Sequence, residues 1–315
     1  MIEHSCHVHT NLNKIIEVAG WMAYEELPIP DYVLPLGLGD GDADQTIDFI
    51  LTACCIDTAF TDFSRHVKFE VAYAGRTWSD SDALLACIKR ALDSGIPVLD
   101  GGFLSAVTRS EMARIFAGNI ELPMLEEKTE IWRQVGTVLV TKFGGRFRNF
   151  IPSCSAKLYD NGNGLVDRLI LEFPRFRDIS PYRGHTIKFF KLPQLGVWFL
   201  YTSLRKSGKF PLQDLDKMTA FADYIVPVAL RLLGMTSYSS ELEETINSQH
   251  MILRDSPQEV EIRAHSIYAT ALLTEEINKI RPADAQVLIP QVDARLWTHY
   301  HTTRWPHHLT RTIMY

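Results

Sequence analysis

No apolar run in this 315-residue chain approaches the roughly twenty residues that a membrane-spanning helix needs. The opening MIEHSCHVHT also lacks the apolar stretch of a signal peptide, so the expectation is a cytoplasmic protein with no membrane partner. Positive charge is not in excess: 32 Lys and Arg stand against 38 Asp and Glu, a formal net charge of -6, with a pI near 6.0. Gripping a nucleic-acid backbone takes clustered cations; this balance argues against a nucleic-acid partner and for a small-molecule ligand. No C-x-x-C spacing occurs. The five cysteines, Cys6, Cys54, Cys55, Cys87 and Cys154, are odd in number and read as reduced, mostly core residues. Neither a repeat period nor a low-complexity linker divides the chain.

What is present is the composition of an ordinary globular protein, 46% hydrophobic and 22% charged. A chain of this length buries roughly three quarters of its unfolded surface, enough for a core without metal or disulfides. Residues 12 to 34 read as helix and then loop, broken by Pro28, Pro30 and Pro35. In LGLGDGDADQ the glycines Gly37, Gly39 and Gly41 have the wrong spacing for a dinucleotide fingerprint, and no strand precedes them. Asp40, Asp42 and Asp44 begin like a calcium loop, but Gln45 replaces its turn glycine and Leu51 its closing glutamate. The better reading is a solvated turn into a helix capped by Asp44 or Thr46. In HVKFEVAYAGRTWSD, Val67, Phe69, Val71 and Tyr73 alternate with polar or small residues up to a turn at Gly75, predicting a hairpin. SDALLACIKRALDSGIP reads as a helix started by Ser79 to Ser81 and stopped at Gly95. From Ser110 onward helical patterns dominate, in SEMARIFAG, LEEKTEIWRQVGTVLVTKFGG, GLVDRLILEF, IKFFKLPQLGVWFLYTSLRKSG, MTAFADYIVPVALRLLG, ELEETINSQHMI and PQEVEIRAHSIYATALLTEEINKI. The expected fold is mainly α with a small antiparallel β element. It forms one domain over 1–315, in two lobes of about 1–110 and 111–315 that share a cleft.

One residue stands out. Asp223 lies inside the otherwise apolar Met218–Gly234 stretch, and a buried carboxylate without partners is costly. It could cap a helix beginning near Tyr224, pair with Arg231, or lie at the edge of the apolar stripe. Capping is disfavoured by Asp214 and Asp216, which supply earlier starts to a pattern that runs on at helical spacing. Pro227 has no N–H for the Asp223 carbonyl, so a kink or break is expected beside the acid. Irregular backbone next to a semi-buried carboxylate is a pattern that active sites share with structural kinks.

Several segments, in order, resemble the queuosine salvage family of queuosine 5′-phosphate N-glycosylases. They are YAGRTWSDSDALLACIKRALDSGIP, the PMLEE segment, TKFGGRF, the FPRFRD turn, IKFFK followed by Gln194, FADY with Pro227, QEVEIRA, and a tail with Asp293 and Trp297. Together they cover most of the chain from about residue 55. The resemblance implies a mostly helical fold similar to helix-hairpin-helix DNA glycosylases, and cofactor-free hydrolysis of an N-glycosidic bond that releases queuine and ribose 5-phosphate. It makes Asp223 the catalytic carboxylate, Phe221 a contact to the base, and Asp293 a hydrogen-bonding partner of the base heterocycle. Lys191 and Phe63 fall in matching substrate-binding segments. The chemistry is sound on its own: base cleavage passes through an oxocarbenium-like state, and a carboxylate beside the anomeric carbon stabilises that charge and orients water.

The chain also departs from the family. Leu192 and Pro193 replace Arg-Ala between the lysine and Gln194; Ala294 and Thr298 replace a tyrosine and an acid; FTDFS replaces NFSFW, keeping Phe63; and EELPIPDY holds no counterpart of an N-terminal base-contacting histidine. Alternatives therefore stand beside salvage: the same hydrolysis on another nucleoside or nucleotide, or base binding without turnover. For a substrate phosphate, Lys142 with Gly144 and Gly145, Lys191, and Arg263 are candidates, each equally readable as a structural residue. Glu259 and Glu261 are expected to pair with Arg263 structurally. The histidine clusters HSCHVH and HYHTTRWPHH read as frayed tail and packing rather than metal sites.

Overall fold

A computed structural model of the chain describes residues 2–32, 34, 37 and 42–315. The readings made for Pro35, Gly39, Asp40 and Gly41 lie outside them. The chain is mostly helical with small antiparallel sheets, and it divides into two units, each built from separated stretches: Met1–Pro30, Asp178–Lys191 and Leu215–Arg311 in the first, and Asp31–Arg177, Leu192–Asp214 and Thr312–Tyr315 in the second. No helix among the described residues is long and apolar enough to cross a membrane.

In the second unit, Ala43–Cys54 is capped by Asp42, whose side chain accepts from the Asp44 and Gln45 N–H groups. The cap is thus two residues before the expected Asp44, because the first carboxylate to reach the free N–H groups takes them. The hairpin pairs Glu70–Tyr73 with Arg76–Ser79 in a register that sets Val71 opposite Trp78. Its turn residues Ala74 and Gly75 both have positive φ, 50° and 79°, the geometry that matches strand twist. The expected strand from Val67 is shorter, since Lys68 makes only an isolated bridge to Thr61. Helix Asp80–Asp93 starts after Ser79 and stops before Gly95 as the sequence predicts. The Leu125–Lys142 helix lies so close to Gly101–Ala106 that a Cβ on Gly136 would sit 2.3 Å from the Ser105 nitrogen. Phe143, Phe147, Phe150 and Phe176 surround Phe173 at ring-centroid distances of 5.1 to 6.3 Å, so the aromatic residues of TKFGGRF and FPRFRD are core.

The first unit is organised around the Pro257–Ile280 helix, started by Ser256 and Pro257. Its Ala269, Leu273 and Ile277 pack with Ile15, Val18 and Met22 of Leu12–Met22, Leu230 of Val226–Leu232, and Val292 and Leu296 of Ile289–Tyr300. Strand Val8–Thr10 pairs antiparallel with Thr236–Tyr238. Ile179–Tyr182 pairs with His185–Lys188, which corrects the helical reading of IKFF. Arg183 and Gly184 at positive φ, 47° and 81°, make a hairpin turn, and a short apolar run then takes its conformation from its partner strand. The tail is packed rather than frayed: His308 is buried, Leu309 accepts from Ile252 N–H at 2.7 Å, and His307 lies on the Tyr224 ring at 4.6 Å.

Two buried groups on the central helix carry stability predictions. Glu261 accepts the N–H groups of Cys6, His7 and Val8 at 3.0, 2.6 and 3.1 Å and the Tyr182 hydroxyl at 2.7 Å, whereas the carboxylates paired with Arg263 are those of Asp178 and Glu259. Burial raises its carboxyl, but these donors outweigh burial and leave it below its ordinary value. Glu261→Gln should cost about 2–3 kcal/mol, because charge-assisted bonds to backbone donors are lost in a buried place; urea unfolding measures this, and an unchanged midpoint would refute it. His265 sits between Thr10 Oγ1 at 2.7 Å and Ser5 Oγ at 2.9 Å. Burial lowers its pKa to about 4. Since the folded value lies below the unfolded one, the stability it contributes is complete above about pH 6.5 and is lost as pH falls toward 4, at about 1.4 kcal/mol per unit. Denaturation midpoints should drop between pH 6.5 and 5, and drop less in His265→Gln.

Candidate active site

Asp223 closes a loop instead of lying within a helix. The segment before it is irregular, and the helix begins only at Val226, with Pro227 in its first turn, where the missing N–H has no intrahelical partner to lose. The break expected beside Pro227 is there. Asp223 Oδ1 accepts from the Ile225 and Val226 N–H groups, both at 2.9 Å, bracing the turn into a helix whose N-cap is Ile225 and which has no side-chain cap. Arg231 is engaged elsewhere, by Glu243 at 2.8 Å. Among the described residues the second oxygen of Asp223 has no hydrogen-bond donor.

Three buried ionisable groups share this place. Asp223 is 6% exposed, Asp293 3% and Lys191 8%. Asp293, on the Ile289–Tyr300 helix, accepts the Phe221 N–H at 2.9 Å, which ties one base-binding candidate to the other, two residues before Asp223. Lys191 is the first residue of the Lys191–Leu204 helix. Burial pushes the Asp223 carboxyl up; the Lys191 ammonium, the Val226 and Ile225 N–H groups and, last, Arg263 pull it back. Asp293 is pushed well above the carboxylate range, first by burial and then by the Asp223 charge, with the Phe221 N–H and Lys191 opposing. Burial thus favours the protonated form of both carboxyls, and at Asp293 the neighbouring Asp223 charge adds to it. A neutral Asp293 can both donate and accept a hydrogen bond.

Arg263 and Lys142, considered for a phosphate, are committed. Arg263 pairs with Asp178 through both terminal nitrogens, at 3.0 and 2.6 Å, and stands 3.7 Å from Glu259; Lys142 pairs with Glu172 at 2.6 Å. Gly144 and Gly145 close the Leu125–Lys142 helix, with Gly145 N–H donating to Leu139. Phe63 is half-buried in a turn of the second unit. Among the described residues no group of three or more His, Cys, Asp or Glu is placed to hold a metal. Asp178 was not singled out by sequence reasoning; its only signal was its place in the FPRFRD turn.

A family model described as queuosine salvage protein matches residues 39–315. The chain belongs to the queuosine salvage family. Among its relatives, a queuosine 5′-phosphate N-glycosylase/hydrolase of Sphaerobacter thermophilus is 33% identical over 100% of this chain and 95% of its own length. The protein of the same name from Bos taurus is 28% identical, covering 95% of this chain and 87% of its own. That of Schizosaccharomyces pombe is 30% identical over 75% and 70%. In this family member, FADY, IKFFK and the Asp293 tail meet in the first unit, together with Arg263 of QEVEIRA and Asp178 of the FPRFRD turn.

Proposed function

We propose that the protein hydrolyses the N-glycosidic bond of queuosine 5′-phosphate, releasing queuine and ribose 5-phosphate. The observation that carries this reading is the buried Asp223 carboxylate, with one oxygen fixed by two backbone N–H groups and the other available beside Lys191 and Asp293. As the bond between the anomeric carbon and the base nitrogen lengthens, positive charge grows on the sugar. A charged Asp223 stabilises it with a Coulomb term that a low-dielectric surround strengthens. The same oxygen orients water and takes its proton as the new C–O bond forms. Asp293 holds the base by its ring edge, with Phe221 against the heterocycle; a polar group that demands complementary partners discriminates strongly between bases. Lys191 favours the ionised form of Asp223 against burial. The helix-hairpin-helix glycosylase-like architecture belongs to this proposal, supported by the mainly helical fold.

The test is base release from a panel of nucleosides and 5′-nucleotides that includes queuosine 5′-phosphate. Turnover of queuosine 5′-phosphate in preference to the rest is the expected result. Exclusive release of another base would move the reading to a redirected hydrolase, as the substitutions at Leu192, Pro193, Ala294 and Thr298 allow, and binding without any release would make the protein a carrier.

A further inference from the structure

We propose that Arg263 is a positioning residue for this hydrolysis, acting through Asp178 to hold the Lys191 and Asp223 segments in their working arrangement. Resting on the glycosylase reading above, this assigns a role to two residues that do not touch the reacting atoms.

The geometry is that of a clamp. Arg263 is 1% exposed. Its Nε donates to the Ala222 carbonyl at 3.1 Å, the peptide that leads directly into Asp223. Its two terminal nitrogens grip the two oxygens of Asp178 at 3.0 and 2.6 Å. Asp178 Oδ2 in turn accepts the backbone N–H of Lys191 at 3.3 Å, and the Asp178 carbonyl accepts the Phe189 N–H at 3.0 Å. The guanidinium lies over the Phe189 ring at 3.9 Å, which fixes its plane. One rigid fork therefore links the chain just before Asp223 to the chain that carries Lys191. All three guanidinium nitrogens are used, and the fork is planar, so its bonds are mutually constrained.

A fully buried ion pair is weak evidence of stability for its own sake, since a well-packed apolar replacement often does as well. The arrangement has a clearer rationale in registry. The distance from the Lys191 ammonium to the Asp223 carboxylate sets how much charge Asp223 keeps, and the angle of the Ala222–Asp223 peptide sets where its free oxygen points. Both depend on where Arg263 stands. A lysine at 263 would keep the positive charge but could not bridge Asp178 and the Ala222 carbonyl in the same plane.

The experiment compares Arg263→Lys, Arg263→Gln and Asp178→Asn with the wild type on queuosine 5′-phosphate, measuring kcat and KM per folded molecule, with circular dichroism giving the folded fraction. Both Arg263 variants should lose about 10- to 100-fold in kcat with KM within about threefold, because misplacement of the reacting groups by a fraction of an ångström acts on the transition state more than on binding. Asp178→Asn should show a smaller loss of the same kind. Wild-type kcat in folded Arg263→Lys would overturn the proposal and leave Arg263 a charge alone. A loss explained entirely by the unfolded fraction, or failure of all three variants to fold, would make the clamp structural and overturn it too. Absence of release by the wild type would instead overturn the glycosylase reading, and this proposal with it.

Discussion

Asp223→Asn should lower the rate of base release by about 10³-fold while leaving KM within a few-fold, because the lost interaction is one that exists with the transition state and hardly at all with the neutral sugar. The variant is a clean one. Asparagine keeps the oxygen that accepts from Ile225 and Val226, so the turn into the Val226–Leu232 helix is kept and the fold is retained. What disappears is the charge. It also removes the group whose field raises the Asp293 carboxyl, so the Asp293 pKa should fall. Steady-state kinetics with unfolding as a control decides the matter: a rate within tenfold of wild type would mean that Asp223 only braces its turn.

Lys191→Met should lower kcat at neutral pH by about tenfold or more and move the acid limb of the kcat profile to higher pH. The sign follows from the surroundings. The ammonium is the strongest influence holding the Asp223 carboxyl down against burial; without it the folded pKa of Asp223 rises, the carboxylate needed for catalysis is lost at a higher pH, and more of the enzyme is protonated at pH 7. Methionine matches the stem in length and keeps the packing. Measured on queuosine and on its 5′-phosphate, the loss should be the same for both. A rise in KM confined to the phosphorylated substrate would show that Lys191 holds the phosphate instead.

The helices Asp80–Asp93, Leu125–Lys142, Leu165–Glu172 and Pro257–Ile280 were legible because each carries its own periodicity, and start and stop residues add to the signal in Asp80–Asp93 and Pro257–Ile280. The hairpin at Gly75 was legible for the same local reason. Ile187 and Lys188, in a segment with a helical pattern, are strand because the Arg183–Gly184 turn supplies a partner that a short apolar run cannot announce by itself. The pairing of Val8–Thr10 with Thr236–Tyr238 lies between residues far apart in the chain, and nothing local marks it. The Ile289–Tyr300 helix went unread, although Asp293 upon it was named.

At the site, an acid inside an apolar stretch beside a proline was visible as an anomaly, and the ordered segments from YAGRTWSD to the Asp293 tail placed the chain in its family. Those are properties of residue type and order, which the sequence states outright. That Asp223 braces the turn into the following helix, that Asp293 accepts the Phe221 N–H, and that Arg263 pairs with Asp178 were decided only by the folded chain. Each depends on which donors, acceptors and charges lie within a few ångströms in a buried place, where desolvation and pairing determine protonation, and the backbone brings those groups together from segments that are distant in sequence.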